Sequence, residues 1–235
     1  MKAIAIDTTN LVMGIAIIDG EKVVGEMITN LKKNHSVRLM PAISELMKEV
    51  GFKPSDLERV IVAYGPGSYT GVRIGVTTAK TLAWTLNIPI VGVSSLEVLA
   101  QNGRFFNGYI CPFFDARRGQ VYTGLYQSDE QDVLLKEKDQ LALLNDWLEP
   151  LKEIEKSVLF LSNDLALHKE NIRSVLGDRA IFPYVSMQNP RPSELALLGL
   201  QKEPVSNTHE MVPRYLQLAE AEVKWLEAQN KGDTT

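Results

Sequence analysis

The chain has 235 residues, 45% of them hydrophobic and 23% charged, a composition typical of a globular protein with a sizeable core. Its formal net charge of −4 argues against a large nucleic-acid-binding face, because phosphate contacts need clustered lysines and arginines, and leaves room for a local basic patch. No apolar run reaches the ~20 residues of a membrane-spanning helix. Cys111 is the single cysteine, so no disulfide can form within the chain, and we expect a cytoplasmic protein.

The first half of the chain opens with strand patterns and then alternates helix and strand patterns. The predicted elements are strands at 3–7, 12–18 and 22–28, a helix at 36–50, a strand at 60–64, a helix at 71–86, a strand at 88–93 and a helix from Ser94 to near Gly103. The first three strands are joined by tight turns and should be antiparallel. The later strands need helical crossovers and should be parallel.

The second half repeats this plan. Its predicted elements are a hairpin of 108–116 with 119–127, a helix at 141–151, a strand at 158–161, a helix at 164–176, a strand at 180–182, a short helix at 194–199 and a last helix at 216–229. Two halves with one order predict a duplicated, two-lobed α/β fold with mixed sheets, the actin-like, Hsp70 and sugar-kinase (ASKHA, ribonuclease H-like) architecture. We expect lobes at 1–102 and 103–210, and a final segment at 211–235 that could pack back on the first lobe.

Residues 63–80 read AYGPGSYTGVRIGVTTAK, a glycine-rich stretch after a predicted strand. It does not match a Walker A loop, because no Lys-Ser or Lys-Thr pair follows Gly71. It does not match the dinucleotide fingerprint either, since Gly71 comes one residue too late after Gly65 and Gly67. Small residues instead recur every four positions and predict a ridge along one helix face, which would admit a second helix inside the fold or across an interface. This ridge consists of Gly71, Gly75, Ala79 and Ala83.

The end of the first predicted strand, Asp7-Thr8-Thr9, is a candidate nucleotide site. Actin-like proteins place an aspartate and small hydroxyl residues there to hold metal-bound water and phosphate. The glycine that usually follows this aspartate in active kinases is missing here, so a degenerate site is the favoured interpretation. An ordinary polar turn between strands is the alternative.

Three arginines are further candidate anion contacts. Arg73 lies in the first turn of a predicted helix, where the helix dipole disfavours a cation, so either an anionic partner or a solvated side chain is expected. Arg117 and Arg118 lie at the tip of the predicted hairpin, where they could meet a phosphate, a partner carboxylate or solvent. The complete set of candidate nucleotide or anion contacts is Asp7, Thr8, Thr9, Gly65, Gly67, Arg73, Arg117 and Arg118.

Five segments in this order resemble the bacterial TsaB (YeaZ) family: AIDTT, GPGSYTGVRIGVTTAK, IPIVGVSSLEVLA, DARRGQVYTGLY and VPRYLQLAEAE. The resemblance implies an accessory subunit required for N6-threonylcarbamoyladenosine (t6A) at position 37 of tRNAs that read ANN codons. It also implies that the chain binds and supports the catalytic TsaD subunit, which shares its fold and transfers threonylcarbamoyl from its adenylate to tRNA. The ATPase TsaE is implied as a further partner, and tRNA is expected only through the complex.

The resemblance also bears on metal binding. In the catalytic relative, the segment equivalent to VGVSSLEVLA carries an H-x-x-x-H metal pair, and Ser95 and Leu99 take those two positions here. A hydroxyl and an isobutyl group cannot replace two imidazoles. The chain is therefore expected to have no metal, no catalytic residues and no cofactor of its own, apart from weak ATP or ADP binding. The runner-up function is a weak ATPase or small-molecule kinase that uses Asp7 and the glycine stretch.

The resemblance places the partner interface on the helices predicted at 36–50 and 71–86. In the family these helices pack against their equivalents in TsaD, or against a second copy in a homodimer when the protein is alone. The first helix carries an apolar stripe and the second carries the small ridge; the alternative is that both only cover their own sheet. The candidate interface residues are Leu39, Met40, Ile43, Leu46, Met47, Gly71, Val72, Gly75, Ala79 and Ala83.

Overall fold

The computed structural model describes residues 1–129 and 132–217. The strands in this part of the chain are β1 (Lys2–Asp7), β2 (Val12–Asp19), β3 (Lys22–Asn30), β4 (Arg59–Ala63), β5 (Ile90–Val93), β6 (Tyr109–Asp115), β7 (Gln120–Asp129), β8 (Asp132–Leu143), β9 (Val158–Leu161) and β10 (Ala180–Ile181). The α-helices are α1 (His35–Glu49), α2 (Tyr69–Leu86), α3 (Ser95–Ala100), α4 (Leu144–Leu151), α5 (Leu165–Leu176) and α6 (Pro192–Gln201).

The described strands form two five-stranded sheets with the same internal order. The first sheet runs β3-β2-β1-β4-β5, and the second runs β8-β7-β6-β9-β10. In each sheet the strands joined by tight turns pair antiparallel, and the strands reached through a helix pair parallel. The repeated order confirms the predicted duplicated α/β fold with mixed sheets.

Helices cover both faces of the first sheet, which is why its strands read as almost unbroken apolar runs. On β1, Ile4 and Ile6 face α1 and α2, whereas Ala3 and Ala5 face α6. Successive strand residues point to opposite faces, so this alternation of large and small side chains sets different spacings on the two sides. The second sheet is covered on its outer face by α4 and α5.

Two helices pack on the sheet of the opposite half. α6 comes from the second half but packs on β1 and β2, and α3 comes from the first half but packs through Leu96 and Leu99 against β6. After α6 the chain stays on the first lobe, where the Val205 amide donates to the Ile90 carbonyl at 3.1 Å. The predicted lobes at 1–102 and 103–210 therefore need correction. An apolar helix face shows that a helix is covered, but not which sheet covers it.

The structure also differs from the sequence prediction around β8. A helix was predicted at 141–151, but a strand extends to Leu143 and α4 covers only Leu144–Leu151. β8 is an edge strand whose side chains are mostly exposed, so it lacks apolar alternation and its pairing with β7 determines its conformation. The helix predicted at 216–229 lies outside the described residues except for its first two positions. Among the described helices, none has the length and apolar character to cross a membrane.

Candidate functional site at the cleft between the lobes

A cleft of about 710 Å³ opens between the lobes. It is lined by Thr9 and Asn10 after β1, by Arg117 and Arg118 after β6, and by the first residues of α2. β1 and β6 hold equivalent central positions in the two sheets, so the loops after their carboxyl ends meet across the cleft. Ligands of α/β proteins bind outside the carboxyl ends of such strands, which makes this cleft the candidate site.

The structure brings together half of the candidate anion contacts. Thr9, Gly67, Arg117 and Arg118 line the cleft. Asp7, Thr8, Gly65 and Arg73 are not among the residues that line it. Most other cleft residues were not selected from the sequence, among them Asn10, His35, Arg214 and Tyr215. Arg214 and Tyr215 lie in the segment VPRYLQLAEAE, which contributed to the family resemblance but for which no site residue was predicted.

Asp7 serves the turn after β1 rather than the cleft. Its side chain is 2% exposed, and its Oδ1 accepts hydrogen bonds from the Thr9 amide (2.9 Å) and from Thr9 Oγ1 (2.7 Å). Its Oδ2 has no hydrogen-bond partner among the described residues. Burial raises the pKa of Asp7 above its ordinary value, although the bonds from Thr9 oppose this. The geometry favours the polar-turn interpretation over a carboxylate that holds metal-bound water.

We expect Asp7→Asn to raise the free energy of unfolding at pH 7, because it removes a buried charge whose folded-state pKa is raised. A carboxylate whose folded-state pKa is raised contributes most below its unfolded value, 3.8, and this contribution is lost as the pH rises through the folded value. Asparagine keeps the oxygen that Thr9 needs and carries no charge. Urea unfolding at pH 7 and pH 4 measures the effect, which should shrink at the lower pH. Asp7→Ala is the control and should destabilise; an equal loss in both variants would contradict the assignment.

The small-residue ridge of α2 faces the interior of its own lobe. A Cβ on Gly71 would overlap the backbone carbonyl of Thr8, and one on Gly75 would lie 2.6 Å from Thr8 Oγ1. Ala79 and Ala83 are fully buried. The ridge therefore lets α2 approach the turn after β1 and the first sheet closely. A face of small residues permits a close contact, but it does not specify which element makes that contact. The prediction of direct partner contacts is corrected for Gly71, Val72, Gly75, Ala79 and Ala83.

The apolar stripe of α1 is also occupied within the lobe. Four of its five predicted interface residues, Leu39, Ile43, Leu46 and Met47, are buried in the core beneath the first sheet. Met40 alone of this set is exposed, at 48%. The outward faces of α1 and α2 carry other side chains. We call this the outer helix surface, defined by Val37, Met40, Pro41, Thr77, Thr81 and Trp84.

The first two glycines of the glycine-rich stretch let the chain pass close to the backbone at Arg214 and at Thr9. Gly65 has a φ of +112°, and a Cβ there would lie 2.7 Å from the Arg214 carbonyl oxygen. A Cβ on Gly67 would overlap the carbonyl of Thr9, to which the Ser68 amide donates at 2.7 Å. The stretch is thus a tight exit from β4, held against the turn after β1.

Arg73 contacts aromatic rings. Its guanidinium carbon lies 4.1 Å from the ring centroid of Tyr69, and its Nε donates to the Tyr215 hydroxyl at 2.8 Å. The two tyrosine rings stack with their centroids 4.9 Å apart. The π faces and the hydroxyl therefore offset the unfavourable position of a cation in the first turn of α2. Among the described residues, the partners of Arg73 are therefore two tyrosine side chains, rather than the anion or the solvent expected from the sequence.

A buried carboxylate joins the lobes. Asp139 on β8 accepts hydrogen bonds from Ser94 Oγ at 2.6 Å, from the Tyr126 hydroxyl at 2.5 Å and from the Arg214 guanidinium at 2.8 Å. Ser94 follows β5 of the first sheet, so the network links both sheets to the segment after α6. Burial, and then the charge of Asp139, raise the pKa of Tyr126 well above its ordinary value. Sequence reasoning missed Asp139 because β8 itself was not predicted.

The fold and its cleft define the class: a duplicated, two-lobed α/β protein of the actin-like type. The family model TsaD, tRNA N6-adenosine threonylcarbamoyltransferase, matches residues 22–225. The tRNA threonylcarbamoyladenosine biosynthesis protein TsaB of Bacillus subtilis is 56% identical over 229 residues, which cover 97% of this chain and 100% of that protein. The chain belongs to the TsaB (YeaZ) family of tRNA threonylcarbamoyladenosine biosynthesis proteins.

Solved structures support the fold alone. YeaZ from Pseudomonas aeruginosa superposes with a TM-score of 0.77 at 23% identity, over 92% of this chain and 99% of that one. An inorganic polyphosphate/ATP-glucomannokinase from Arthrobacter superposes with a TM-score of 0.50 at 9% identity, over 86% of this chain and 99% of that one. The second likeness places the two-lobed architecture among sugar-kinase folds, and carries no statement about activity.

Proposed function

We propose that the chain is a non-catalytic subunit in the formation of N6-threonylcarbamoyladenosine on tRNA. In this proposal it binds and supports a catalytic TsaD subunit, which transfers threonylcarbamoyl from threonylcarbamoyl-adenylate to position 37 of tRNAs reading ANN codons. TsaE is a further partner, tRNA is reached only through the complex, and the chain forms a homodimer when alone in the cytoplasm. Membership of the family supports a role in this biosynthesis.

The outer helix surface is the observation that carries the proposed interface. Val37 and Trp84 are 69% and 68% exposed, and Met40 and Pro41 lie beside Val37 on the same side of α1. Since α1 and α2 pack side by side on one sheet, their outward faces form one continuous surface. Large apolar side chains in such a surface indicate a protein contact. A partner that shares the fold would present two equivalent helices, and the match of this chain to the TsaD family model supports such a partner.

The positions equivalent to the metal pair support the non-catalytic part of the proposal. Ser95 and Leu99 are fully buried on α3, and Leu99 packs against the second sheet. Neither side chain is a metal ligand of the kind that iron or zinc requires. Within residues 1–129 and 132–217, no group of three or more His, Cys, Asp or Glu side chains is arranged to hold a metal ion.

Val37→Glu is expected to weaken binding to the TsaD subunit by about tenfold or more, because it places a charge in an apolar contact. Leu167→Glu is the matched control: Leu167 is 70% exposed on α5, on the outer face of the other lobe. Isothermal titration calorimetry with purified TsaD measures both affinities, and t6A formation on tRNA gives a second measurement. Equal affinities for the two variants would overturn the assigned interface.

A weak ATPase or small-molecule kinase is the second candidate function. The cleft favours it, because Thr9, Gly67 and Arg117 line a volume of about 710 Å³ between the lobes. The position of Asp7 disfavours it, because the carboxylate that would hold metal-bound water is buried beneath the turn. ATP hydrolysis by the isolated chain, lost in Arg117→Ala, would support this function over the first.

A further inference from the structure

The β10 edge of the second sheet carries the most exposed large apolar side chains in the described part of the chain. Phe105, in the loop before β6, is 89% exposed, and Tyr184 and Val185, shortly after β10, are 84% and 80% exposed. The two loops are held together by Asn102, whose Nδ2 donates to the Met187 carbonyl at 2.8 Å. Large apolar side chains exposed close together indicate an interaction site.

Two cations lie against an aromatic ring at the same edge. Lys169 and Arg173 are one turn apart on α5, and the Lys169 Nζ and the Arg173 guanidinium carbon lie 5.3 Å and 5.2 Å from the ring centroid of Phe182, which directly follows β10. Among the described residues, neither cation forms a hydrogen bond or an ion pair, and the neighbouring Glu170 pairs with neither of them. Both side chains are exposed. The contact with the ring orients them and leaves their N–H groups available to an anion.

Exposed aromatic rings beside such cations are the features that bind single-stranded nucleic acid. The cations pair with phosphates, and the rings stack on bases, all of which have a π face. Lysine is depleted at protein–protein interfaces, so Lys169 favours a nucleic acid over a protein at this edge. The formal net charge of −4 argues against a large basic face, and the set at β10 is a local one.

We propose that this chain contacts an unpaired segment of tRNA through the β10 edge surface, defined by Phe105, Lys169, Arg173, Phe182 and Tyr184. Lys169 and Arg173 pair with phosphates, and Phe105 and Tyr184 stack on bases. The inference rests on the proposed function, in which tRNA is reached within the complex with TsaD, and it adds a direct contact made by the second lobe. The outer helix surface belongs to the first lobe, so the two contacts use different residues.

The salt dependence of tRNA binding by the complex tests the two cations. Fluorescence anisotropy measures the affinity for an unmodified tRNA that reads an ANN codon, between about 50 and 200 mM salt. Lys169→Gln with Arg173→Gln should lower the affinity about tenfold at about 0.1 M salt. The slope of log affinity against log salt should become shallower by about 1.4, because each phosphate contact to a single strand contributes about 0.7. The matched control is Lys136→Gln with Lys138→Gln, two exposed lysines of β8 at the opposite edge of the same sheet, which should change neither quantity.

The aromatic contact has a different signature. Tyr184→Ala should lower the tRNA affinity about fivefold or more and leave the salt slope unchanged, because stacking on a base involves no charge. Tyr184→Phe keeps the ring and should keep the affinity. Circular dichroism checks that each variant is folded, and calorimetry checks that each binds TsaD with the affinity of the unsubstituted chain.

Three results would overturn the inference and leave the proposed function intact. The first is an unchanged tRNA affinity and salt slope when Lys169 and Arg173 are both replaced and TsaD binding is preserved. The second is an equal change of slope in the β8 control pair, which would indicate a general effect of charge. The third is a Tyr184→Ala chain that loses affinity for TsaD rather than for tRNA, which would assign the surface to a protein partner. An unsubstituted chain that fails to bind TsaD would overturn the proposed function itself, and the inference with it.

Discussion

Replacing Gly71 by alanine is expected to lower the free energy of unfolding by about 3 kcal/mol. The added Cβ would overlap the carbonyl of Thr8, whose hydroxyl already donates to the Gly71 carbonyl at 2.7 Å. Backbone lies on both sides of this contact, so neither partner can rotate away. Alanine favours a helix over glycine by about 1 kcal/mol, which makes a net loss diagnostic of the close approach. Urea unfolding followed by circular dichroism measures it.

Gly51→Ala is the matched control for this substitution. Gly51 has a φ of +73° and open space around it, so alanine there meets only the conformational penalty of about 1 kcal/mol. The folded fraction of Gly71→Ala should bind TsaD with unchanged affinity, because the ridge lies inside the lobe. A stably folded Gly71→Ala chain that failed to bind TsaD would instead show that the ridge belongs to the partner interface.

Asp139→Ala is expected to destabilise the chain by about 3 kcal/mol. The change leaves Ser94, the Tyr126 hydroxyl and the Arg214 guanidinium without their shared acceptor. Arg214 is 33% exposed, and water can therefore compensate part of the loss. Chemical denaturation monitored by circular dichroism gives the magnitude.

Asp139→Asn is the companion variant for the network, because it retains an acceptor oxygen while it removes the charge. Its loss should be smaller, about 1–2 kcal/mol. Losses of the same size in both variants would mean that the charge carries the whole contribution. Stability unchanged in Asp139→Ala would show that the network does not hold the lobes together.

The fold was largely predictable from periodicity. Turn length and the alternation of helix and strand patterns predicted the antiparallel and parallel pairs correctly, including the hairpin at Arg117-Arg118. The prediction failed at β8 because an exposed edge strand has no buried face to impose alternation on its sequence. The assignment of α3 and α6 to lobes failed because packing partners distant in sequence leave no local signal.

The candidate site was predictable only in part. Thr9, Gly67, Arg117 and Arg118 were selected and line the cleft, whereas His35 and Arg214 were not selected. The interface prediction selected residues that lie mostly on the buried faces of α1 and α2, and a partner contact on these helices stays a proposal. Side-chain size and spacing identify a face that packs closely, and burial against the chain's own sheet looks the same in sequence as burial against a partner.

The sequence alone was sufficient to predict the duplicated fold, to recognise the family and to show that Ser95 and Leu99 are not histidines. Each of these inferences depends on residues close together in the chain. Long-range packing determined the rest. The glycines of α2 approach the turn after β1, Arg73 finds Tyr215, and Asp139 joins the lobes through contacts that span up to 142 residues of sequence. Such contacts form because burial and hydrogen bonding are satisfied over the whole folded chain at once.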